Sequence, residues 1–293
     1  MKKSKSRVAF ECFNTVFLLF MAFISLYPIL YVVFASLSDS NALMRWGGRM
    51  LWHPLGCNFD AYVKALKNPN IFSGYKNTIF VVSVGLLSSM LLSSLGAFFM
   101  SRRNVRFGRF ITMMILFTMW FNGGLIPFYL AVRDINLVGN RWSLIIPNVI
   151  NTYNMIILRT AFASVPNELS ESAYIDGASQ FVVFSRIILP LSKATLAVVA
   201  MYYAVTYWNA WFGASIFLQG ETGKWPLQLV LRQILIVNDT SSMTIGVSDA
   251  NKESIGESIK YAVIVIATVP ILCVYPFVQK HFVSGVMIGA VKG

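Results

Sequence analysis

Residues 166–190, PNELSESAYIDGASQFVVFSRIILP, decide how this chain is read. They are the longest break in apolarity on the side that the charge pattern, set out below, assigns to the cytoplasm. Pro166 suits the first helical position, where its missing N–H costs nothing. Glu168 and Glu171 then set negative charge near the positive end of the helix dipole. Some three turns on, Gly177 supplies a stop, because glycine enters the left-handed region without steric cost. A second short helix is expected from Ala178, ended by Pro190. Leu169, Ala173 and Gly177 recur at every fourth position, so they share a narrow face that a partner groove can approach closely.

Composition bounds what surrounds this stretch. Of 293 residues, 56% are hydrophobic and only 12% charged, against about a quarter charged in soluble domains. The mean hydropathy is +0.64. This is the profile of an integral membrane protein, and 14% aromatic residues suit interfacial belts. The net charge of +12 is scattered between apolar runs, which fits anionic lipid head groups and not nucleic acid. Cys12, Cys57 and Cys273 have no metal-ligand spacing, and His53 and His281 are too far apart for a shared site. No Gly-x4-Gly-Lys-Ser/Thr loop is present, so the chain carries no phosphate cradle of its own.

Taken in order, residues 1–12 form an N-terminus whose Lys2, Lys3, Lys5 and Arg7 have no acid among them, a cytoplasmic signature. A first span covers 13–37, bent near Pro28, and 38–74 reads as an extracytoplasmic loop. The second span, 75–100, carries Gly85, Ser89 and Ser93 at small-x3-small spacing, which admits a close neighbour. The acid-free connector 101–109, with Arg102, Arg103, Arg106 and Arg109, fixes the orientation. Further spans are expected at 110–131, 143–164, 193–219 and 259–282, the last opened by a Ser254/Glu257 capping box. The fifth is unusually aromatic, with Tyr202, Tyr203, Tyr207, Trp208, Trp211 and Phe212. The second outer loop, 220–258, contains a short helix from Pro226 to Val237, either a dock for a partner protein or an amphipathic helix in the membrane interface. Residues 286–293 form a cytoplasmic tail. The expected fold is all-α, with six transmembrane helices in one domain and both termini cytoplasmic.

Glu171, Ala173, Gly177, Ile187, Leu189 and Pro190 spell E-x-A-x3-G-x9-I-x-L-P without a gap. This resembles the EAA loop of ABC-importer permeases, the coupling helix that sits in a cleft of the ATPase subunit. Gly123-Gly124-Leu125-Ile126-Pro127, Leu144-Ile145-Ile146-Pro147 and Tyr207-Trp208-Asn209 with Trp211-Phe212 are similar to later spans of carbohydrate-uptake permeases. The ending Gly289-Ala290-Val291-Lys292-Gly293 looks like the C-terminus of the smaller, maltose-type permease. Within that group the likeness is greatest to the subfamily for complex or oligomeric sugars, the alginate importer included. It extends over nearly the whole chain, with 75–285 as the permease core domain of the type I importer fold. The resemblance implies a homologous second permease, an ABC ATPase dimer and an extracytoplasmic solute-binding protein. It further implies a bacterial inner-membrane location and an oligo- or polysaccharide substrate. ATP and Mg would belong to the ATPase, leaving this chain without cofactor or catalytic residues.

Candidate sites follow. Leu169, Glu171, Ala173, Asp176, Gly177 and Pro190 are the expected ATPase-coupling set, although Glu171 also serves the helix dipole. Gly289, Lys292 and Gly293 are the expected tail contact to the ATPase. Asn148, Asn151 and Asn154, spaced by three on the fourth span, offer uncharged donors and acceptors that suit a sugar. Asn122, Tyr207, Trp208, Asn209 and Trp211 complete the expected pathway. The competing reading is that these amides bond neighbouring helices and the rings pack. Three other functions compete as well; against a membrane-bound enzyme, no nucleophile–base or metal constellation appears in or beside the spans. A proton-coupled carrier would keep ionisable groups in the membrane, yet the six expected spans contain no Asp or Glu. A non-sugar ABC permease is separated only by the resemblance. A cysteine-accessibility scan should label positions near 104 and 175 only from the cytoplasm, and positions near 60 and 240 from outside. A swapped result at 104 would invert the orientation.

Overall fold

The computed structural model describes residues 4–102, 105–236, 255–273 and 276. Its described residues are helical, with a lone Ser38–Cys57 bridge as their only β-type pairing. Three helices are long and apolar enough to cross a membrane: Ser6–Ser36, Pro69–Ser101 and Ile255–Cys273. Two sharply bent pairs bring the total to as many as five. The chain divides into two compact units, Met1–Pro69 with Gln233–Pro270, and Asn70–Arg232 with Ile271–Gly293.

In the first unit, helix α1 runs from Lys5 to Ser36 with Pro28 inside it. None of its most apolar window is buried within the chain, so that surface needs lipid or another subunit. Residues expected as an outer loop are ordered. Helix α2 (Ser40–Trp46) starts where Asp39 accepts from the backbone N–H groups of Asn41 and Ala42, and ends at left-handed Gly47. Helix α3 (Asp60–Lys67) follows. Ala35, Leu43 and Leu51 make a small core flanked by Tyr31, Phe34 and Tyr261. Tyr27 OH accepts from Leu51 N at 2.9 Å.

The second unit is built on α4 (Pro69–Ser101), which begins six residues before the expected span and has 33 residues, about 50 Å at 1.5 Å per residue. The expected third span is not one helix. Helices α5 (Gly108–Trp120) and α6 (Leu125–Asp134) meet at 115°. The break is Phe121-Asn122-Gly123-Gly124, where Gly124 has φ 88 and ψ 174, a conformation open essentially to glycine. The expected fourth span also fails as a continuous helix. It comprises 3₁₀ turns at Arg141–Leu144 and Ile146–Asn148, extended Asn151, and α7 (Thr152–Ala163). Pro147 lies within the second turn and cannot donate to a continuing α-ladder.

Helix α8 (Asn167–Ile175) opens the coupling stretch, with Pro166 at the N-cap. The next rod begins at Gln180, two residues later than expected, and runs through Pro190 to Leu191. It consists of α9 (Gln180–Val183), a π-helical turn Phe184–Ile188, and α10 (Leu189–Leu191). A proline crowds the carbonyl four residues back, and the wider turn before Pro190 absorbs that crowding, so the helix is not stopped there. The chain bends by 85° into α11 (Lys193–Trp208). A break at Asn209–Ala210 separates α12 (Trp211–Phe217), so the expected fifth span is also divided. Helix α13 (Leu227–Leu235) falls within the expected Pro226–Val237 helix, with Leu227, Leu229, Val230 and Leu231 buried. Helix α14 (Ile255–Cys273) carries a Glu257–Lys260 pair at 2.9 Å. Ser254, Val237 and the tail with Gly289, Lys292 and Gly293 lie outside the described residues.

The stripe of small residues on α4 receives tyrosine rings. A Cβ built on Gly85 would come within 2.7 Å of the Tyr207 ring. Gly85→Ala should therefore destabilise the folded protein by about 1–3 kcal/mol through overpacking, read as a lowered melting temperature in detergent. An unchanged melting temperature would mean that the ring does not sit against α4.

Candidate functional site

Two places in the second unit carry features that sequence reading singles out. The first is a seam at the middle of α4. Tyr203 and Tyr207 are one helical turn apart on α11, both 2% exposed, with ring centroids 6.5 Å apart. Tyr207 OH lies 2.8 Å from Ser89 Oγ and donates to the carbonyl of Asn148 at 3.3 Å. Tyr203 OH lies 2.6 Å from Ser93 Oγ and accepts from the backbone N–H of Asn151 at 2.9 Å. These hydroxyls meet backbone groups of the irregular segment before α7. Inside a bilayer, unpaired backbone polar groups cost several kcal/mol, so the seam is what lets this segment leave helical geometry.

The asparagine stripe is accordingly not a helical stripe. Asn148 closes a 3₁₀ turn and donates from Nδ2 to Leu144 O at 3.2 Å. Asn151 is the N-cap of α7, its Oδ1 accepting from Asn154 N at 3.0 Å. Only Asn154 lies in the helix, and it is buried. Asn122 caps its own break, accepting from Gly124 N at 2.9 Å. The aromatic set divides too. Tyr207 belongs to the core, whereas Trp208 is half-buried, and Asn209 and Trp211 are exposed beside the α11–α12 break. The Arg232 guanidinium lies 4.9 Å from the Trp211 ring centroid. The structure thus brings Asn148, Asn151 and Tyr207 together, as a backbone clamp.

A second polar cluster holds the far end of α4 and carries no signal in sequence. Buried Asn77 donates to Gly223 O and Trp225 O at 2.8 and 3.0 Å and accepts from Arg141 at 3.0 Å. Thr78 Oγ1 accepts from Leu227 N at 2.8 Å. The bonds to Gly223, Trp225 and Leu227 tie residues 146 to 149 positions apart. The Tyr203–Tyr207 seam, by contrast, was accessible in principle. Gly85, Ser89 and Ser93 repeat every four residues, and the tyrosines repeat with the same period.

The second place is the coupling stretch. Gly177 has φ +80, with nothing within 4 Å of a built Cβ. Ala178 N donates to Ala173 O at 2.9 Å and Gly177 N to Tyr174 O at 3.0 Å. That pair of bonds is a Schellman end to α8. Helix α8 stops at Ile175, so Gly177 does not extend a face shared with Leu169 and Ala173. Ala173 packs inward against the core, while Leu169 and Gly177 are exposed. Glu168, Glu171, Asp176 and Pro190 are exposed as well. The apolar surface that points away is larger than the small-residue face implied: Leu169, Ile175 at 87% and Phe181 at 69% exposure. Inward, Phe184 packs on Phe98 and Phe162, with centroids 5.0 and 6.4 Å away. Buried Ser170 accepts from Arg102 Nη1 at 3.2 Å.

No protein-family model matches the chain. It is 38% identical over 277 residues to the polygalacturonan/rhamnogalacturonan transport system permease protein YtcP of Bacillus subtilis strain 168, covering 94% of this chain and 96% of that one. The chain belongs to the permeases of ABC transport systems. It is also 39% identical to protein LplC of the same organism, over 100% of this chain and 98% of LplC. A crystal structure of a bacterial ABC transporter involved in the import of the acidic polysaccharide alginate matches 96% of this chain and 99% of its own, with TM-score 0.86 and 32% identity. As an ABC permease the chain is a multi-pass membrane protein, which accounts for the exposed apolar surface of α1.

In such a permease the seam must hold without water. Tyr203→Phe removes one hydroxyl and leaves buried Ser93 Oγ and the part-buried N–H of Asn151 without it, a loss of about 1–3 kcal/mol. Asn151→Ala removes an N-cap, worth about 1 kcal/mol. Tyr203→Phe should lower the melting temperature of the purified permease at least as far as Asn151→Ala does. A silent Tyr203→Phe would remove the seam from the account of the fold.

Proposed function

We propose that this permease is the smaller of two homologous transmembrane subunits of an ATP-driven, binding-protein-dependent importer of oligo- or polysaccharide. It forms half of the translocation pathway, crosses the inner membrane six times in the type I importer arrangement, and keeps both termini in the cytoplasm. ATP and Mg are bound by a separate ATPase dimer, and sugar arrives from an extracytoplasmic binding protein. The polygalacturonan/rhamnogalacturonan permease and the alginate importer among its relatives support an acidic polysaccharide as the substrate.

The coupling stretch is the observation that carries this reading. Leu169, Ile175 and Phe181 present apolar side chains beside exposed Glu168, Glu171 and Asp176. An apolar surface rimmed by carboxylates fits neither lipid, which rejects the charges, nor free solvent. It fits a cleft in a partner protein that supplies apolar contact and basic groups. On this reading α8 sits in the ATPase, moves when the ATPases close, and rocks the spans from inward- to outward-facing. Asn122, Asn154, Trp208, Asn209 and Trp211 remain candidates for the sugar path, as does the exposed side chain of Asn151. The tail with Gly289, Lys292 and Gly293 is the proposed second contact to the ATPase.

Gly177 is the place to test the coupling. A side chain at φ +80 costs roughly 1 kcal/mol of strain, and a built Cβ there meets nothing, so packing is spared. In proteoliposomes holding the complete importer, Gly177→Asp should assemble normally. It should lose most ATP-driven uptake of an oligogalacturonide pool and leave ATP hydrolysis poorly responsive to the loaded binding protein. Wild-type uptake by this variant would refute α8 as the coupling element.

A further inference from the structure

Arg102, at the cytoplasmic end of α4, enters the sequence reading only as one of four arginines that fix orientation. Its surroundings give it a second task. Nη1 donates to Ser170 Oγ of α8 at 3.2 Å, and its guanidinium carbon lies 4.4 Å from the centroid of Phe98. Phe98 packs on Phe184 of the rod that follows α8. The arginine therefore bridges the last turn of α4 to the helix that presents Leu169, Glu171 and Ile175 outward. Arg159 adds a parallel link from α7, donating to Met100 O at 3.4 Å.

This link is a poor device for stability. Arg102 Nε is buried and has no hydrogen-bond partner. No carboxylate lies within ion-pair distance of the guanidinium among the described residues. Burial pulls its pKa down and the nearby Tyr174 pushes it up, while the group stays charged at any physiological pH. A half-buried cation with no anion beside it and one buried donor unpaired gains little stability over an apolar side chain of equal length. A methionine stem would fill the same space over Phe98 without an orphaned donor. What the guanidinium adds is direction: a planar, two-ended connection that grips an aromatic face and a hydroxyl together.

We propose that Arg102 is a positioning residue that ties α8 to α4 through Ser170, so that displacement of the ATPase-facing surface reaches the membrane-crossing helix. The proposal rests on the reading of α8 as the ATPase contact. It predicts a defect in transmission, separate from any defect in assembly or in ATP turnover.

The test uses the complete importer in proteoliposomes and measures oligogalacturonide taken up per ATP hydrolysed. Arg102→Met and Ser170→Ala should each lower that ratio by roughly tenfold, the value of one charged hydrogen bond. Complex yield and basal ATP hydrolysis should not change. The double variant should be no worse than either single one, because both changes cut one link. Arg102→Lys, which keeps a charged donor on a long stem, should recover part of the loss. An unchanged ratio in Ser170→Ala, or losses that simply multiply in the double variant, would overturn the proposal. Should Arg102→Met fail to assemble, Ser170→Ala with Arg102→Lys decides alone. Gly177→Asp serves as the control: if it transports normally, the reading of α8 itself fails; if it uncouples while Ser170→Ala does not, only the Arg102 link fails.

Discussion

Backbone groups inside a bilayer have no water to turn to, and this chain departs from helical geometry well within its apolar stretches. Between Ile145 and Asn151 the backbone passes through a 3₁₀ turn into extended conformation before α7 begins. That departure is tolerable because Tyr203 and Tyr207 bring hydroxyls to Asn151 N and Asn148 O. The hydroxyls can reach only because α4 offers Gly85, Ser89 and Ser93 instead of bulk. Three elements thus depend on one contact. Replace the small stripe with leucines and the tyrosines lose their seats, the irregular segment loses its partners, and α7 loses its starting point.

What the sequence revealed and what it hid follow from that constraint. Hydropathy is a sum over side chains and registers how apolar a segment is, whatever its backbone does. It finds α1, α4 and α14, since each is one long helix over its described residues. It cannot tell a straight span from α5 and α6 meeting at 115°, because Phe121 and Leu125 are as apolar as their neighbours. The glycines at 123 and 124 carry a likeness to a family, and that likeness does not contain the conformation that Gly124 adopts. The asparagines misled for a related reason. Period-three spacing implies a face only on a helix, and at Asn148 and Asn151 there is none. Their amides are spent on local backbone, as a turn and a cap. The latch of Asn77, Thr78 and Arg141 was beyond reach, since its partners lie far away in sequence.

The coupling stretch was the most legible part, because turn chemistry is local. A glycine with φ +80 ends α8 where the sequence expected a stop, and the two bonds of that end involve only residues 173–178. What sequence missed there was direction. Spacing places Leu169 and Ala173 on one face, but which face looks inward depends on Phe98, Phe162 and Phe184, which lie on three different elements.

Those aromatics join the two functional places into one mechanical body. The core of the second unit is a single cluster that runs from Val132 and Leu144 through Tyr207 and Tyr203 to Leu158, Phe162 and Phe184. Interiors packed at this density are nearly incompressible, so a displacement entering at Phe184 is passed along and not dissipated. Packing alone transmits a push but resists a pull weakly, because dispersion falls away within an ångström of separation. A hydrogen bond from a charged donor holds under tension where a van der Waals contact parts. An importer has to drive its spans in both directions through each cycle. A helix in the coupling role proposed for α8, packed on the core through Ala173 and Tyr174 and tethered at Ser170, would meet both demands, whereas either contact alone would transmit only half of the motion.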